Sequence, residues 1–188
     1  MSELIKKAAE YIAKHEGFAK KAYFDVNAYR IGFGSDTITK ADGKIIKVEK
    51  GDTVTREEAQ RDLERRIGKE FFPKVEKKIG SSFFAALPDS AKIALVSIAY
   101  NYGNITKSAI VEAARTGDIQ KIASAILSST KNDNQRLSEK MRIALYNRRK
   151  DEVNFMLKNA AAKITENKNL IFPALGVGIV LMYLIFKR

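Results

Sequence analysis

The stretch PDSAKIALVSIAYNYG, residues 88 to 103, constrains this chain more than any other. Pro88 and Asp89 open a helical pattern, Gly103 closes it, and apolar residues occupy nearly every side between them. A helix that is apolar all round has no face to turn to water, so other elements must enclose it. The chain is therefore expected to build a helical lobe around one central core helix. With 188 residues it is long enough for one domain, or one domain plus an appendage.

The flanking patterns supply the enclosing helices. Residues 2 to 16 read as an amphipathic helix, with Ser2 as its cap and Leu4, Ile5, Ala8, Tyr11 and Ile12 at helical spacing. Gly17 suits the left-handed turn that ends a helix. Thr55 and Glu58 have capping-box spacing and start a helix that should reach about Phe71. Pro73 ends that helix or begins the next. Thr116-Gly117-Asp118 separates two further helices, and RIALYNRRKDEVNFMLKNAA makes a last one. SSTKNDNQRLS, residues 128 to 138, reads as a polar surface loop.

Residues 22 to 50 differ in kind. The β-prone runs YRIGFGS and KIIKVE flank KADGK, whose Asp42-Gly43 is a hairpin signal. A small antiparallel lobe is expected here. The chain ends in NLIFPALGVGIVLMYLIFKR, where residues 170 to 186 carry no charge. As a helix those residues would span roughly 25 Å, the short end for a bilayer crossing. The expected organisation is a domain over residues 1–158, a polar linker over 159–169, and a transmembrane anchor in the lipid membrane over 170–186.

Charge narrows the partners. A net charge of +12 favours nucleic acid, anionic lipid or an acidic cell-wall polymer. Lys and Arg are spread along the chain and no nucleic-acid motif is present, so no nucleic-acid partner is expected. There is no cysteine and one histidine, His15, so thiolate and histidine-rich metal sites are excluded. Neither a metal nor a cofactor is expected.

Two carboxylates draw the chemistry together. Ile5, Ala8, Ile12 and Glu16 share one helix face, the apolar one, so Glu16 is directed toward the interior. Burial and the negative end of the helix both favour the proton-bearing carboxyl, the form a general acid needs; a nearby cation would oppose them. Asp25 sits just before the β lobe. If that lobe packs on the helical part, a carboxylate lies on each wall of a cleft. Glycoside hydrolysis uses such a pair, one to protonate the leaving oxygen and one to stabilise the sugar cation or activate water. Gly32 and Gly34 in RIGFGSD indicate either close approach of the backbone to something or a bulge.

The order of these features resembles the phage-type lysozyme family, glycoside hydrolase family 24. The marks are Glu16-Gly17, the spacing from Glu16 to Asp25, Tyr23 two residues before Asp25, and IGFG thereafter. GDTVTREEAQRDL, ALVSIAYNYGN and LYNRRKDEVNFML continue the likeness in the same order, covering residues 1 to about 157. The resemblance implies an α+β, lysozyme-like fold with a small β lobe and a larger helical lobe sharing a cleft. It implies Glu16 as catalytic acid, Asp25 as second carboxylate, and Asn101 as a polar cleft residue that binds the sugar chain. Arg30 and Ser35 take substrate-binding positions. Arg148 or Arg149 would approach and orient Glu16, while at least one of the two would face solvent.

Many members of the family carry threonine just before I-G-x-G; here that residue is Arg30, which would bind an anionic substrate group or pair with Asp25. Hydrolysis and lytic transglycosylation both remain open. The implied activity is that of a peptidoglycan muramidase cutting the β-1,4 bond between N-acetylmuramic acid and N-acetylglucosamine, anchored in a virion or host cell membrane. A membrane-anchored structural protein on an inactive lysozyme scaffold is the alternative, and a basic nucleic-acid-binding membrane protein a weaker one.

Overall fold

The computed structural model describes residues 2–105, 107–132 and 137–166. Helix α1 (Ser2–Glu16) buries Ala8, Ala9 and Ile12, the face its spacing marked out. Gly17 ends it at φ +68°, a left-handed conformation that costs glycine little. The chain then enters the β lobe as β1 (Ala19–Asp25), which pairs antiparallel with β2 (Ala28–Gly32). Tyr23 faces Arg30 and Asp25 faces Ala28 across this hairpin. Because side chains alternate along a strand, those four residues share one face.

A second hairpin joins β3 (Thr37–Thr39) to β4 (Ile45–Lys47). The KADGK turn is thus where the sequence placed it, but the strand opposite KIIKVE is Thr37–Thr39 and not YRIGFGS. Gly32 and Gly34 explain the difference. Both have positive φ, at +61° and +82°, and turn the chain sharply after Ile31. Ile31 and Ser35 then exchange backbone hydrogen bonds of 2.8 and 3.0 Å, which closes β2 before it can reach the next strand. At Gly32 the close approach foreseen from sequence is to protein: a Cβ there would lie 2.7 Å from the Ala59 Cβ.

Ala59 belongs to α2 (Arg56–Arg66), which starts with the reciprocal Thr55–Glu58 capping box at 3.0 and 3.1 Å. The helical path continues through a π-helical turn (Ile67–Phe71) into α3 (Phe72–Ile79), with Pro73 in the first turn, where its missing N–H is harmless. Gly68 in the π turn lets α1 pack closely, since a Cβ would meet Ile5 Cδ1 at 2.8 Å. After the short α4 (Ser81–Ala86) comes α5 (Asp89–Tyr102), the core helix. Ala91 and every residue from Ile93 to Ala99 are buried. Helix α1, the π turn, α3 and α8 (Glu139–Glu166) pack around it, as an all-round apolar helix demands.

Helices α6 (Ser108–Arg115) and α7 (Ile119–Asn132) complete the lobe. Of the residues 128–138 expected to form a surface loop, 128–132 are helical. Ser129 and Thr130 are buried there, and their hydroxyls donate back to the Ile126 and Leu127 carbonyls at 2.7 and 2.8 Å. Such local bonds let short polar residues sit inside a helix. Helix α8 runs on through Glu166, into the span read as a linker. The anchor expected at 170–186 lies outside the described residues, among which no helix is long and apolar enough to cross a membrane.

Candidate active site

Glu16 is the last residue of α1, at the junction where the chain leaves the helical lobe for the β lobe. Its side chain is 18% exposed, so it is half-enclosed and still reachable. Arg148 of α8 donates from Nη2 to Glu16 Oε1 at 2.5 Å. The expectation for Glu16 set burial and the helix end against any nearby cation; Arg148 is that cation. A charge-assisted bond of this kind fixes the carboxyl in place.

Arg149, the next residue, does something else. It is fully buried, and its Nη2 donates to Asn101 Oδ1 at 3.0 Å. Its guanidinium also lies 5.1 Å from the centre of the Tyr102 ring. The two arginines thus divide the labour, with Arg148 on Glu16 and Arg149 on Asn101. Neither is the solvent-facing helix residue expected of one of them, because α8 lies between α5 and α7 and turns both inward.

Glu152, one helical turn on, joins the two. It is fully buried, with Oε2 2.9 Å from Arg149 Nε and Oε1 3.5 Å from Arg148 Nε. Ser97 of the core helix donates its hydroxyl to Oε1 at 2.6 Å. Burial raises the Glu152 carboxyl above the ordinary range against the pull of the arginines, and burial lowers the Arg149 guanidinium. The motif LYNRRKDEVNFML had placed Glu152 three and four residues from the arginines, which is one helix face. Its link to Ser97 depends on how α8 meets α5 and left no local signal.

A cavity of about 570 Å³ adjoins this cluster, lined by His15, Asn101, Tyr102, Met141, Leu145 and Arg148 among others. Its lining includes Arg148, the partner of Glu16, and Asn101, the partner of Arg149, while Glu16 itself is not part of that lining. Burial, followed by the Arg148 charge, lowers the His15 imidazole and favours its neutral form there.

The hairpin residues are placed differently. Asp25 ends β1 and is exposed. The following turn is tight: Asn27 N–H donates to the Asp25 carbonyl at 2.6 Å, and Val26 between them has φ +52°, rare for a β-branched residue. Arg30 shares the Asp25 face of the hairpin, but its ion pair is with Asp36 at 3.6 Å. Ser35 is turned into the β lobe, 5% exposed, where its hydroxyl donates to Asp62 Oδ2 at 2.6 Å. Thr37 and Thr39 also donate to the Asp62 carboxylate, at 3.0 and 2.7 Å, and Arg65 flanks it at 3.2 Å. This closed network ties β3 to α2. Substrate contact by Ser35 was expected from sequence, but the hydroxyl is engaged inside the lobe. Among the described residues no group of His, Asp and Glu is arranged to hold a metal ion.

The family model for phage lysozyme matches residues 13–152, from just before Glu16 to Glu152 itself. A comparison with curated proteins gave no match. The match takes in well over half of the 188 residues and both lobes with the cluster between them, and the chain belongs to the phage lysozyme family, a family of peptidoglycan-degrading glycosidases.

Proposed function

We propose that this protein is a muramidase of glycoside hydrolase family 24, cleaving the β-1,4 bond between N-acetylmuramic acid and N-acetylglucosamine with Glu16 as the proton donor. The observation that carries this reading is the placement of Glu16: half-enclosed where α1 gives way to the β lobe, and gripped at 2.5 Å by Arg148, which also lines a cavity with Asn101. A general acid must be held within reach of the bond it protonates, and a fixed guanidinium contact supplies that constraint.

Asp25 is the second carboxylate. At the end of β1 it is open to a glycan lying across the hairpin. It stabilises positive charge at the sugar or activates water in a hydrolase. In a lytic transglycosylase the muramic acid 6-hydroxyl attacks instead, and one glutamate suffices. Arg30, on the same face, binds an anionic group of the polymer. Residues 170 to 186 anchor the enzyme in a virion membrane or the host cell membrane. Release of the protein from purified membranes by alkaline carbonate would defeat the anchor.

The deciding experiment is a turnover assay on purified peptidoglycan with the Glu16→Gln variant. The amide keeps the shape and loses the proton, so activity should fall by about a thousandfold or more while the melting temperature stays close to wild type. Activity near wild type refutes the assignment. Mass spectrometry of the wild-type products separates the two chemistries, since 1,6-anhydro ends mark transglycosylation and reducing ends mark hydrolysis.

A further inference from the structure

Helices α5 and α8 run antiparallel, so the helical lobe has two distinct ends. At one end Arg149 meets Asn101, Arg148 meets Glu16, and Tyr100 donates to the Phe33 carbonyl of the β lobe at 2.8 Å. At the other end Ser90, in the first turn of α5, donates to the Met156 carbonyl of α8 at 3.2 Å. Helix α8 continues past Met156 to Glu166, and the uncharged run begins at Leu170. From Arg148 to Glu166 the helix rises roughly 27 Å, at about 1.5 Å per residue. From Glu166 to Leu170 the chain can reach at most about 14 Å. A bilayer that holds residues 170–186 is therefore tethered close to the end where α5 starts and far from Glu16.

That end carries cations beside an exposed ring. Helix α3 finishes at Ile79, and α4 follows from Ser81, just before α5. Lys77 and Lys78, in the last turn of α3, are exposed and have no ion-pair partner among the described residues. Phe84 of α4 is core and packs on Phe72, whereas Phe83 is 48% exposed. The Phe83 ring lies over Gly80, since a Cβ there would meet its Cδ2 at 3.3 Å, and this sets it next to the two lysines. The acids nearby are largely engaged. Asp89 lies 4.0 Å from Lys92, and Glu112 pairs with Arg115 at 2.9 Å, leaving the half-buried Glu76. A convex corner with one ring and a surplus of lysines suits a broad anionic surface. The ring settles at head-group level, and the lysine stems lie along the apolar boundary with their ammoniums among the phosphates.

We infer that the corner formed by Lys77, Lys78 and Phe83 docks on the anionic head groups of a lipid bilayer, which turns the Glu16 end of the molecule away from the membrane. The inference rests on residues 170–186 being the anchor of the proposed muramidase.

The test uses the full chain carrying Phe83→Trp, reconstituted into vesicles of mixed phosphatidylglycerol and phosphatidylcholine with acyl chains brominated near the head groups. The chain has no tryptophan of its own, so this reporter emits alone. Its emission should shift to the blue and be quenched by about half or more. Vesicles of phosphatidylcholine alone should quench it markedly less, and adding Lys77→Glu with Lys78→Glu should cut the quenching in the anionic vesicles by about threefold. All three positions are exposed, so folding is not at risk. A second reporter, Phe24→Trp on the exposed β hairpin, should stay unquenched. An unquenched Phe83→Trp reporter in anionic vesicles overturns the inference, as does equal quenching of the two reporters. A blue shift without quenching puts the ring against a second copy of the chain and overturns it too. Alkaline carbonate then separates the two failures: protein left in the pellet means that the anchor holds and the docking surface is wrong, and protein in the supernatant means that the anchor itself has failed.

Discussion

Among the described residues two carboxylates, Asp62 and Glu152, are buried, one at the root of each lobe, and they are satisfied in opposite ways. Asp62 accepts from three hydroxyls, those of Ser35, Thr37 and Thr39, with one arginine beside it. Its oxygens are fully engaged, and every partner lies in β3, α2 or the turn between the hairpins. Glu152 accepts one aligned hydroxyl bond, from Ser97, and otherwise relies on two arginines whose geometry leaves buried polar atoms unpaired. Each of those arginines reaches on to a residue of the candidate site, Glu16 or Asn101. A closed network makes structure, and a network left open on one side transmits position. Native proteins rarely leave buried polar groups unpaired, and such groups call for an explanation. Here the explanation is that the arginines are shared with the site.

The comparison can be broken in three ways, from the largest effect to the smallest. Asp62→Ala should strip three hydroxyls of their acceptor and leave Arg65 short of its partner. A broken buried pair costs about 3–5 kcal/mol. For a chain of this size that lowers the melting temperature by roughly 6–20 °C. The turnover number of the protein still folded should stay near wild type. A large fall in turnover at unchanged stability would erase the distinction between the two carboxylates.

Glu152→Gln should cost less stability, about 3 kcal/mol or under, and more activity. Arg149 loses its counter-charge and Arg148 keeps only Glu16, so Glu16 and Asn101 are held less firmly, and kcat/KM should drop about tenfold. The pH dependence of stability sharpens this case. Burial raises the folded Glu152 carboxyl above its unfolded value. The stability linked to it is therefore present below about pH 4.3 and is lost as pH rises through the raised value. Glutamine does not titrate, so across the weakly acidic range the variant's melting temperature should lose less with rising pH than the wild type's. Parallel curves for the two proteins would show that Glu152 titrates as it does in the unfolded chain.

Ser35→Ala is the smallest change. It removes the hydrogen bond to the Asp62 carboxylate and the one that Ser35 Oγ accepts from the Thr37 N–H at 3.1 Å, together worth about 2 kcal/mol. Thr37 and Thr39 keep Asp62 engaged, so the loss should stay near that figure, and glycan affinity should be unchanged. A marked loss of affinity at unaltered stability would restore Ser35 to the substrate side.

Much of this architecture was legible in the residues. Gly17 and Gly103 end their helices in left-handed conformation because the sequence supplies the one residue type that adopts it freely. The capping box at Thr55 and the core helix after Pro88 are local patterns with local causes. Strand partners were less legible. YRIG lies against β1, and KIIK against Thr37–Thr39, because two positive-φ glycines reverse the chain between them. Polarity alone also misplaced the end of α7, where buried Ser129 and Thr130 satisfy themselves against their own helix.

By itself the sequence determined the inward face of α1, the glycine stops of α1 and α5, the capped start of α2, and that Glu16 lies at a helix end, because spacing and capping act within a few residues. Only tertiary structure decided that Arg148 grips Glu16, that Arg149 grips Asn101, and that Ser35 belongs to Asp62. Those choices depend on the rotation and depth at which α8 packs on α5 and β3 packs on α2. Contacts between residues 132, 48 and 27 positions apart leave no trace in local periodicity.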